Sequence, residues 1–253
     1  MVHLLPLPGS PLFGGSIEEV VETAARDATL LTDAGFPALM VENFGDAPFY
    51  AESVPPETIA ALTVAVSVVA DIGVPVGVNV LRNDANGALA IAAATGARFI
   101  RVNVLTGLMY TDQGPIVGRA AEVQRNRARL CPDVEVWADV MVKHATPPSG
   151  MGADQAVRDT IERGLADAIV ISGSGTGAEP DLELSREVKR AAPPGTRLVA
   201  GSGASADNLD SLLEIVDTFI VGTNIKVDGD PNKRPDPLRC KTFVEKAAER
   251  GLL

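Results

Sequence analysis

The stretches VPVGVNVL (74–81) and RFIRVNVL (98–105) decide how this chain folds. Each is a short β-branched run of the kind that fills a buried strand, yet each carries an asparagine, Asn79 or Asn103, inside it. Side chains along a strand alternate between two faces. Val76, Val78 and Val80 therefore share one face, with Gly77, Asn79 and Leu81 on the other. In the second stretch Ile100, Val102 and Val104 form the aliphatic face, leaving Arg101, Asn103 and Leu105 opposite. A wholly aliphatic face packs on helices. The face with the amides and the arginine must then point into the interior of a closed sheet.

Six further runs have the same character: VHLLPL (2–7), ALMVEN (38–43), VEVWADVMV (134–142), DAIVIS (167–172), RLVAGS (197–202) and TFIVGT (218–223). Ala-rich helical patterns separate them. Eight strands alternating with helices predict a parallel sheet closed into a (β/α)8 barrel, one α/β TIM-barrel domain over residues 1–253. Ser16 with Glu19 reads as a capping box before Ile17, Val20, Val21, Ala24, Ala28 and Leu31, which share a helical face. Pro55-Pro56-Glu57 opens a second helix, Asp84 suits the N-cap of an Ala-rich helix over 86–94, and Asp154 and Ser205 are candidate N-caps. The C-terminal helix is expected over 237–251, with Leu238, Phe243, Val244 and Ala247 on its buried face. Residues 106–118, with glycines at 107, 114 and 118, read as a long loop able to act as a lid.

Composition narrows the function. The 253 residues carry a formal net charge of −11, and no basic cluster stands against it. That balance repels nucleic acid and anionic membrane surfaces. No apolar run reaches membrane-spanning length. Two cysteines, Cys131 and Cys240, form no CxxC pair and point to a reduced, cytoplasmic protein. The N-terminal stretch lacks a basic region and is broken by Pro6, Pro8 and Pro11, unlike a signal peptide.

The fifth strand repeats the alternation: Val134, Val136, Ala138, Val140 and Val142 outward, Glu135, Trp137, Asp139, Met141 and Lys143 inward. Either Glu42 or Asn43 turns inward from the second strand. Scattered through a core, such groups would each cost about 1–3 kcal/mol if unsatisfied. Gathered at the C-terminal mouth they satisfy one another, water or a ligand, and that mouth is where barrel enzymes place their chemistry. Glu42, Asp139 and Lys143 are the candidate acid–base residues, with a Schiff-base role open to Lys143. Asn79, Arg82, Arg101, Asn103, Asp112 and His144 are the candidate substrate-binding residues. An internal salt bridge to Lys143 is the inert alternative for Asp139.

Glycine loops end the last three strands: GSGTG (173–177), GSGAS (201–205) and GTNIK (222–226). Glycines let backbone N–H groups approach an anion closely, and barrels hold phosphate on the loops after strands seven and eight. Gly173, Gly175, Thr176, Gly201, Ser202, Gly203, Gly222 and Thr223 are therefore assigned to phosphate binding. Lys226 either adds charge there or is a solvated surface lysine. His3 reads as a satisfied core or barrel-bottom histidine. With only His3 and His144 in the chain, a multi-histidine zinc site is excluded. Carboxylates around Glu42, Asp112 and Asp139 could hold Mg²⁺, no other cofactor is called for, and Ser172 and Cys131 lack a paired histidine for acyl chemistry.

MVHLLPLPGSP at the start, VENFGDAPF (41–49), GVNVLRNDA (77–85), RVNVLTG with TDQG (101–114), WADVMVKHA (137–145), SGSGTG (172–177) and GTNIKVDG (222–229) together resemble the BtpA family, also called the photosystem I biogenesis family. The resemblance implies a ribulose-phosphate-binding type of barrel. It also implies a role in photosystem I accumulation in photosynthetic members, although many members come from organisms without photosynthesis. It assigns no catalytic residues. The expectation is a phosphosugar- or phosphoribosyl-binding enzyme of isomerase, epimerase or lyase type, with a non-catalytic biogenesis factor as the alternative. Its partner would be a phosphorylated small molecule, and a homo-oligomer stays open.

Overall fold

The computed structural model describes residues 1–173, 177 and 181–253. All eight expected strands are present: β1 Val2–His3, β2 Leu39–Glu42, β3 Val76–Asn79, β4 Phe99–Val102, β5 Glu135–Val140, β6 Ala168–Ile171, β7 Arg197–Ala200 and β8 Thr218–Phe219. They lie side by side in chain order, and every neighbouring pair is parallel. The Met1 nitrogen donates to the Val221 carbonyl at 2.9 Å, which brings the first strand against the end of the eighth. The molecule is a (β/α)8 barrel.

Parallel neighbours need a crossover, and helices supply it. They are α1 Ile17–Asp33, α2 Pro56–Ala70, α3 Ala85–Thr95, α4 Ala120–Leu130, α5 Ala153–Arg158, α6 Leu182–Ala191, α7 Leu209–Leu213 and α8 Pro237–Glu249. Ser16 caps α1 by accepting from the Glu19 N–H at 3.1 Å, but its hydroxyl donates to Glu18, so the reciprocal half of the box is missing. Asp84 caps α3 through Gly87 N at 2.7 Å and also accepts from Val54 N at 2.9 Å. Asp154 does not cap α5. Gly152 holds that place, and Asp154 pairs with Arg158 one turn on. Ser205 and Asn208 bond reciprocally, but a turn intervenes before α7 begins at Leu209. On α8 the buried face is Cys240, Phe243 and Ala247, whereas Leu238 is 73% exposed. Pro237 sets the start of that helix and turns Leu238 to solvent.

Two apolar compartments follow from the alternation. Val76, Val78, Ile100, Val102, Val136, Ala138, Ile169 and Ile171 join the helices in the outer core. Met1, Met40, Phe99, Trp137, Ala168, Val170, Val199 and Ile220 fill the barrel itself. Phe99 and Trp137 stack with centroids 4.2 Å apart. Gly77 makes room for them: a Cβ there would lie 2.0 Å from Phe99 Cε2.

Beyond the strand ends the alternation fails. Leu105, expected inward, packs in the outer core because β4 ends at Val102. Met141 takes φ 49° just after β5 and also leaves the interior. Val104 and Val142 lie instead under a hairpin. Residues 106–118 form that hairpin, Leu108–Thr111 against Gly114–Val117, with Ala145–Thr146 as a third strand. Met109 and Ile116 pin it down on Val104 and Val142.

Gly77→Ala should lower unfolding stability by about 1–3 kcal/mol through overpacking against Phe99. Denaturant titration with an unchanged slope would check this.

Candidate active site at the barrel mouth

Two residues beyond the last inward apolar or glycine position of each strand, the interior becomes polar or bare. Met1 is followed by His3, Met40 by Glu42, Gly77 by Asn79, Phe99 by Arg101, Trp137 by Asp139, Val170 by Ser172, Val199 by Gly201 and Ile220 by Gly222. One step of strand periodicity thus separates an apolar interior from a ring of polar groups at the C-terminal mouth.

Arg101 lies at the centre of the ring. Its Nε and Nη2 donate to Asp139 Oδ2 and Oδ1 at 2.9 and 2.8 Å, a bidentate pair. Nη1 reaches the Gly201 carbonyl at 3.2 Å and Nη2 the Ser172 hydroxyl at 3.1 Å. Asp139 also accepts from Ser172 Oγ at 3.0 Å and from Asn103 Nδ2 at 3.0 Å. Both members of the pair are buried, Arg101 at 2% and Asp139 at 6% exposure. Burial alone would favour the neutral form of Arg101, but the charge and hydrogen bonds of Asp139 raise its pKa above the ordinary value. Asp139 is thus bound to Arg101 and not to Lys143. Gly201 can carry no side chain, because a Cβ there would lie 2.2 Å from Val170 Cγ1 and 2.9 Å from Arg101 Nη2.

Glu42 forms the second centre. Its Oε2 accepts from Asn79 Nδ2 at 2.6 Å, and its Oε1 lies 3.9 Å from His3 Nε2. Burial would raise its pKa, yet the charges of Lys143 and Arg101 and the Asn79 bond hold it below the usual range. Asn43, the other candidate for an inward position, instead bonds the Leu81 N–H at 2.7 Å and shapes the loop. Lys143 lies half-buried beside Glu42. Burial, with the added charge of Arg101, draws its pKa down to about 8.

His3 departs from the position expected of it. It occupies the mouth rather than the barrel bottom, because β1 pairs with β2 so that His3 faces Glu42. Its ring stacks on Phe44 at 4.2 Å, and Nδ1 lies 2.9 Å from the Pro231 carbonyl. A carbonyl only accepts, so Nδ1 carries the proton and Nε2 keeps its lone pair. Burial lowers the His3 pKa to about 4, which keeps the ring neutral near pH 7. The signal in the sequence is parity: His3 stands two residues after Met1, as Glu42 does after Met40.

The glycine loops converge on this ring. Gly177, Gly201, Ser202, Gly203, Gly222 and Thr223 line one small cavity with His3, Glu42, Arg101 and Lys143. Gly177 N donates to Ser202 Oγ at 3.3 Å, joining the sixth loop to the seventh. Gly173 directly follows Ser172 in the sixth loop, and Gly175 and Thr176 lie outside the described residues. An adjoining cavity of about 290 Å³ is lined by Glu42, Asn79, Arg82, Arg101, Asn103, Lys143 and His144. Arg82 Nη2 donates to the Lys143 carbonyl at 2.5 Å, and His144 takes φ 54° at the rim. Asp112 is exposed at the hairpin tip, where its carboxylate bonds Gln113. Lys226 is neither solvated nor at the cradle: it is 1% exposed and pairs with Asp27 of α1 at 3.7 Å.

The carboxylates considered for Mg²⁺ do not converge, since Asp139 is bound to Arg101 and Asp112 lies out on the hairpin. Among the described residues no three His, Cys, Asp or Glu side chains are arranged to hold a metal. A groove of about 850 Å³ lies between α1 and α8 and is lined by none of these groups. Among the described residues no helix is long and apolar enough to cross a membrane.

The family model for the BtpA family matches residues 1–249. The chain belongs to the BtpA family. It is 48% identical over 250 residues to the photosystem I biogenesis protein BtpA of Synechocystis sp., covering 98% of this chain and 87% of that protein. Solved structures share the barrel at low identity. KGPDC from Streptococcus mutans in complex with D-ribose 5-phosphate superposes with TM-score 0.59 at 13% identity, covering 90% of this chain and 93% of that one. Phosphoribosyl anthranilate isomerase from Thermus thermophilus gives 0.58 at 11%, covering 89% and 94%.

Two outcomes are expected from this family member's mouth. Asp139→Asn should cost about 3–5 kcal/mol, because it leaves the buried Arg101 charge without its partner, as read by chemical denaturation. Lys143 binds its proton less tightly in the folded state (about 8) than at its ordinary value of 10.5. Folding therefore carries a penalty below pH 8 that vanishes as pH rises through this window. Wild-type protein should gain stability between pH 8 and 10 relative to Lys143→Met, measured by urea unfolding at each pH.

Proposed function

We propose that the mouth binds a phosphorylated, hydroxyl-rich small molecule of the sugar-phosphate kind and carries out acid–base chemistry on it, of isomerase, epimerase or lyase type. One observation carries this reading: Asn79 Oδ1 and Asn103 Oδ1 are buried and have no hydrogen-bond partner. Their amide orientation is fixed, because each NH2 group donates to a carboxylate, Glu42 or Asp139. Both carbonyl oxygens are therefore left as acceptors, each costing about 1–3 kcal/mol while unmet. A ligand presenting hydroxyl donors offsets that cost.

The glycine loops supply the other half of the recognition. Backbone N–H groups there suit a phosphate, and a neighbouring barrel was solved with D-ribose 5-phosphate bound. Glu42, held ionised and open on one oxygen, is suited to remove a proton from a carbon beside a carbonyl. Lys143, lining the same cavity, is suited to activate that carbonyl, as a cation or as an amine. Arg101 and Asp139 satisfy each other and act as positioning residues. The name of the cyanobacterial relative favours an assembly role only weakly, since scaffolding gives no use to unmet acceptors at a barrel mouth.

Calorimetry with inorganic phosphate and with D-ribose 5-phosphate tests the reading. Both should bind, the sugar phosphate more tightly. Gly222 has room for a side chain, its nearest neighbours lying 3.6 Å from a built Cβ. Gly222→Asp should keep the fold and weaken both ligands by about tenfold or more, a change of ~1.4 kcal/mol. Asn103→Leu should weaken the sugar phosphate alone. Absence of binding by either ligand to the wild type would remove the proposal.

A further inference from the structure

We infer that Lys143 attacks the carbonyl carbon of its substrate and holds it as an imine, which makes the substrate a phosphorylated aldose or ketose in its open-chain form. The phosphate part of this inference rests on the reading of the glycine loops given above. The covalent part rests on Lys143 itself.

The cations at the mouth have different fates. Arg101 is bound through Nε and Nη2 to Asp139 and through Nη1 to the Gly201 carbonyl. Arg82 commits Nη2 to the carbonyl of Lys143 and so fixes the backbone from which that side chain projects. Lys143 Nζ, among the described residues, makes no hydrogen bond or ion pair, although it lines both the small glycine-loop cavity and the larger cavity beside it. It lines both cavities together with Glu42 but makes no ion pair with it, the Arg101 and Arg82 charges lie nearby, and burial with Arg101 lowers its pKa to about 8. Desolvation and an adjacent cation are the conditions that make a lysine nucleophilic near neutral pH.

The chemistry closes without any further reagent. The Lys143 ammonium passes a proton to the Glu42 carboxylate through one bridging water or substrate hydroxyl, and the free amine forms a C–N bond as the carbonyl π pair moves to oxygen. That oxygen takes up the proton lost by nitrogen and becomes a hydroxyl. Glu42 returns its proton to the hydroxyl, which leaves as water while the nitrogen lone pair forms the C=N bond. Ammonium plus carbonyl have become protonated imine plus water, and Glu42 is again a carboxylate. The substrate's remaining hydroxyls then face the acceptor oxygens of Asn79 and Asn103.

Borohydride trapping tests this. The full chain would be incubated with D-ribose 5-phosphate, dihydroxyacetone phosphate, glycolaldehyde or pyruvate, reduced, digested and mapped by mass spectrometry, with calorimetry run in parallel. The expected result is a reduced adduct on the Lys143 peptide with a phosphorylated carbonyl. Lys143→Arg, which keeps the charge, should reduce that adduct at least about tenfold while inorganic phosphate still binds. Binding of a sugar phosphate with no adduct at Lys143 overturns the imine and leaves the phosphate reading standing. Adducts only with the unphosphorylated carbonyls support the imine and remove the phosphate reading. Adducts spread equally over exposed lysines such as Lys241, or neither binding nor adduct, overturn the imine.

Discussion

The buried pair of Arg101 and Asp139 is the interaction on which the rest of the mouth depends. It joins β4 to β5 directly, reaches the end of β6 through Ser172 and the end of β7 through the Gly201 carbonyl. Two charges taken out of water are stable only when their remaining hydrogen-bonding capacity is met. Here Ser172, Asn103 and Gly201 meet most of it, and the orientations of those groups follow from that demand. The Asn103 carbonyl points away because its NH2 must serve Asp139. Gly201 must lack a side chain because the guanidinium crosses its position.

Glu42 repeats the device at smaller scale. Its carboxylate takes the NH2 of Asn79 and leaves that amide's oxygen bare. The two carboxylates thus turn two asparagines into acceptors, and His3 adds a third through Nε2. The interior side of the mouth in this way sets acceptors beside the Lys143 ammonium, while the glycine loops offer backbone N–H groups. A ligand with hydroxyls at one end and an anion at the other matches both halves. The asymmetry follows from which side chains had to neutralise Arg101 and its neighbours.

Much of this is legible in the sequence because a barrel strand has only two faces. The period of two in VPVGVNVL and RFIRVNVL places Asn79, Arg101 and Asn103 inward, and the same rule applied to VEVWADVMV places Asp139 there. The rule fails where strands stop. Leu105 and Met141 lie past the ends of β4 and β5, where loop geometry rather than pleat sets direction. Lys226 escapes the sequence for a different reason: its partner Asp27 lies some two hundred residues earlier, and only α1 packing near the eighth strand brings the two together. Pairing also distinguishes Asp139 from Glu42. Asp139 reads as inward and Glu42 only as one of two candidates with Asn43, and nothing short of the cross-strand geometry shows that Asp139 is saturated and Glu42 half open.

The hairpin adds a constraint that no strand pattern contains. Its first strand, Leu108–Thr111, pairs with Ala145–Thr146, two residues beyond Lys143. Val142, immediately before that lysine, packs beneath the hairpin with Val104, Met109 and Ile116. Lys143 is therefore held between an apolar anchor on one side and a strand pairing on the other, with its carbonyl fixed by Arg82. Among the described residues its side chain makes no hydrogen bond or ion pair, while its backbone is tied on both sides. A nucleophile or proton carrier benefits from that arrangement, because the entropy of positioning the main chain is lost in folding rather than at each turnover. The residues that follow β5 thus fix the main chain of a position four places past Asp139, and the hairpin is part of that support.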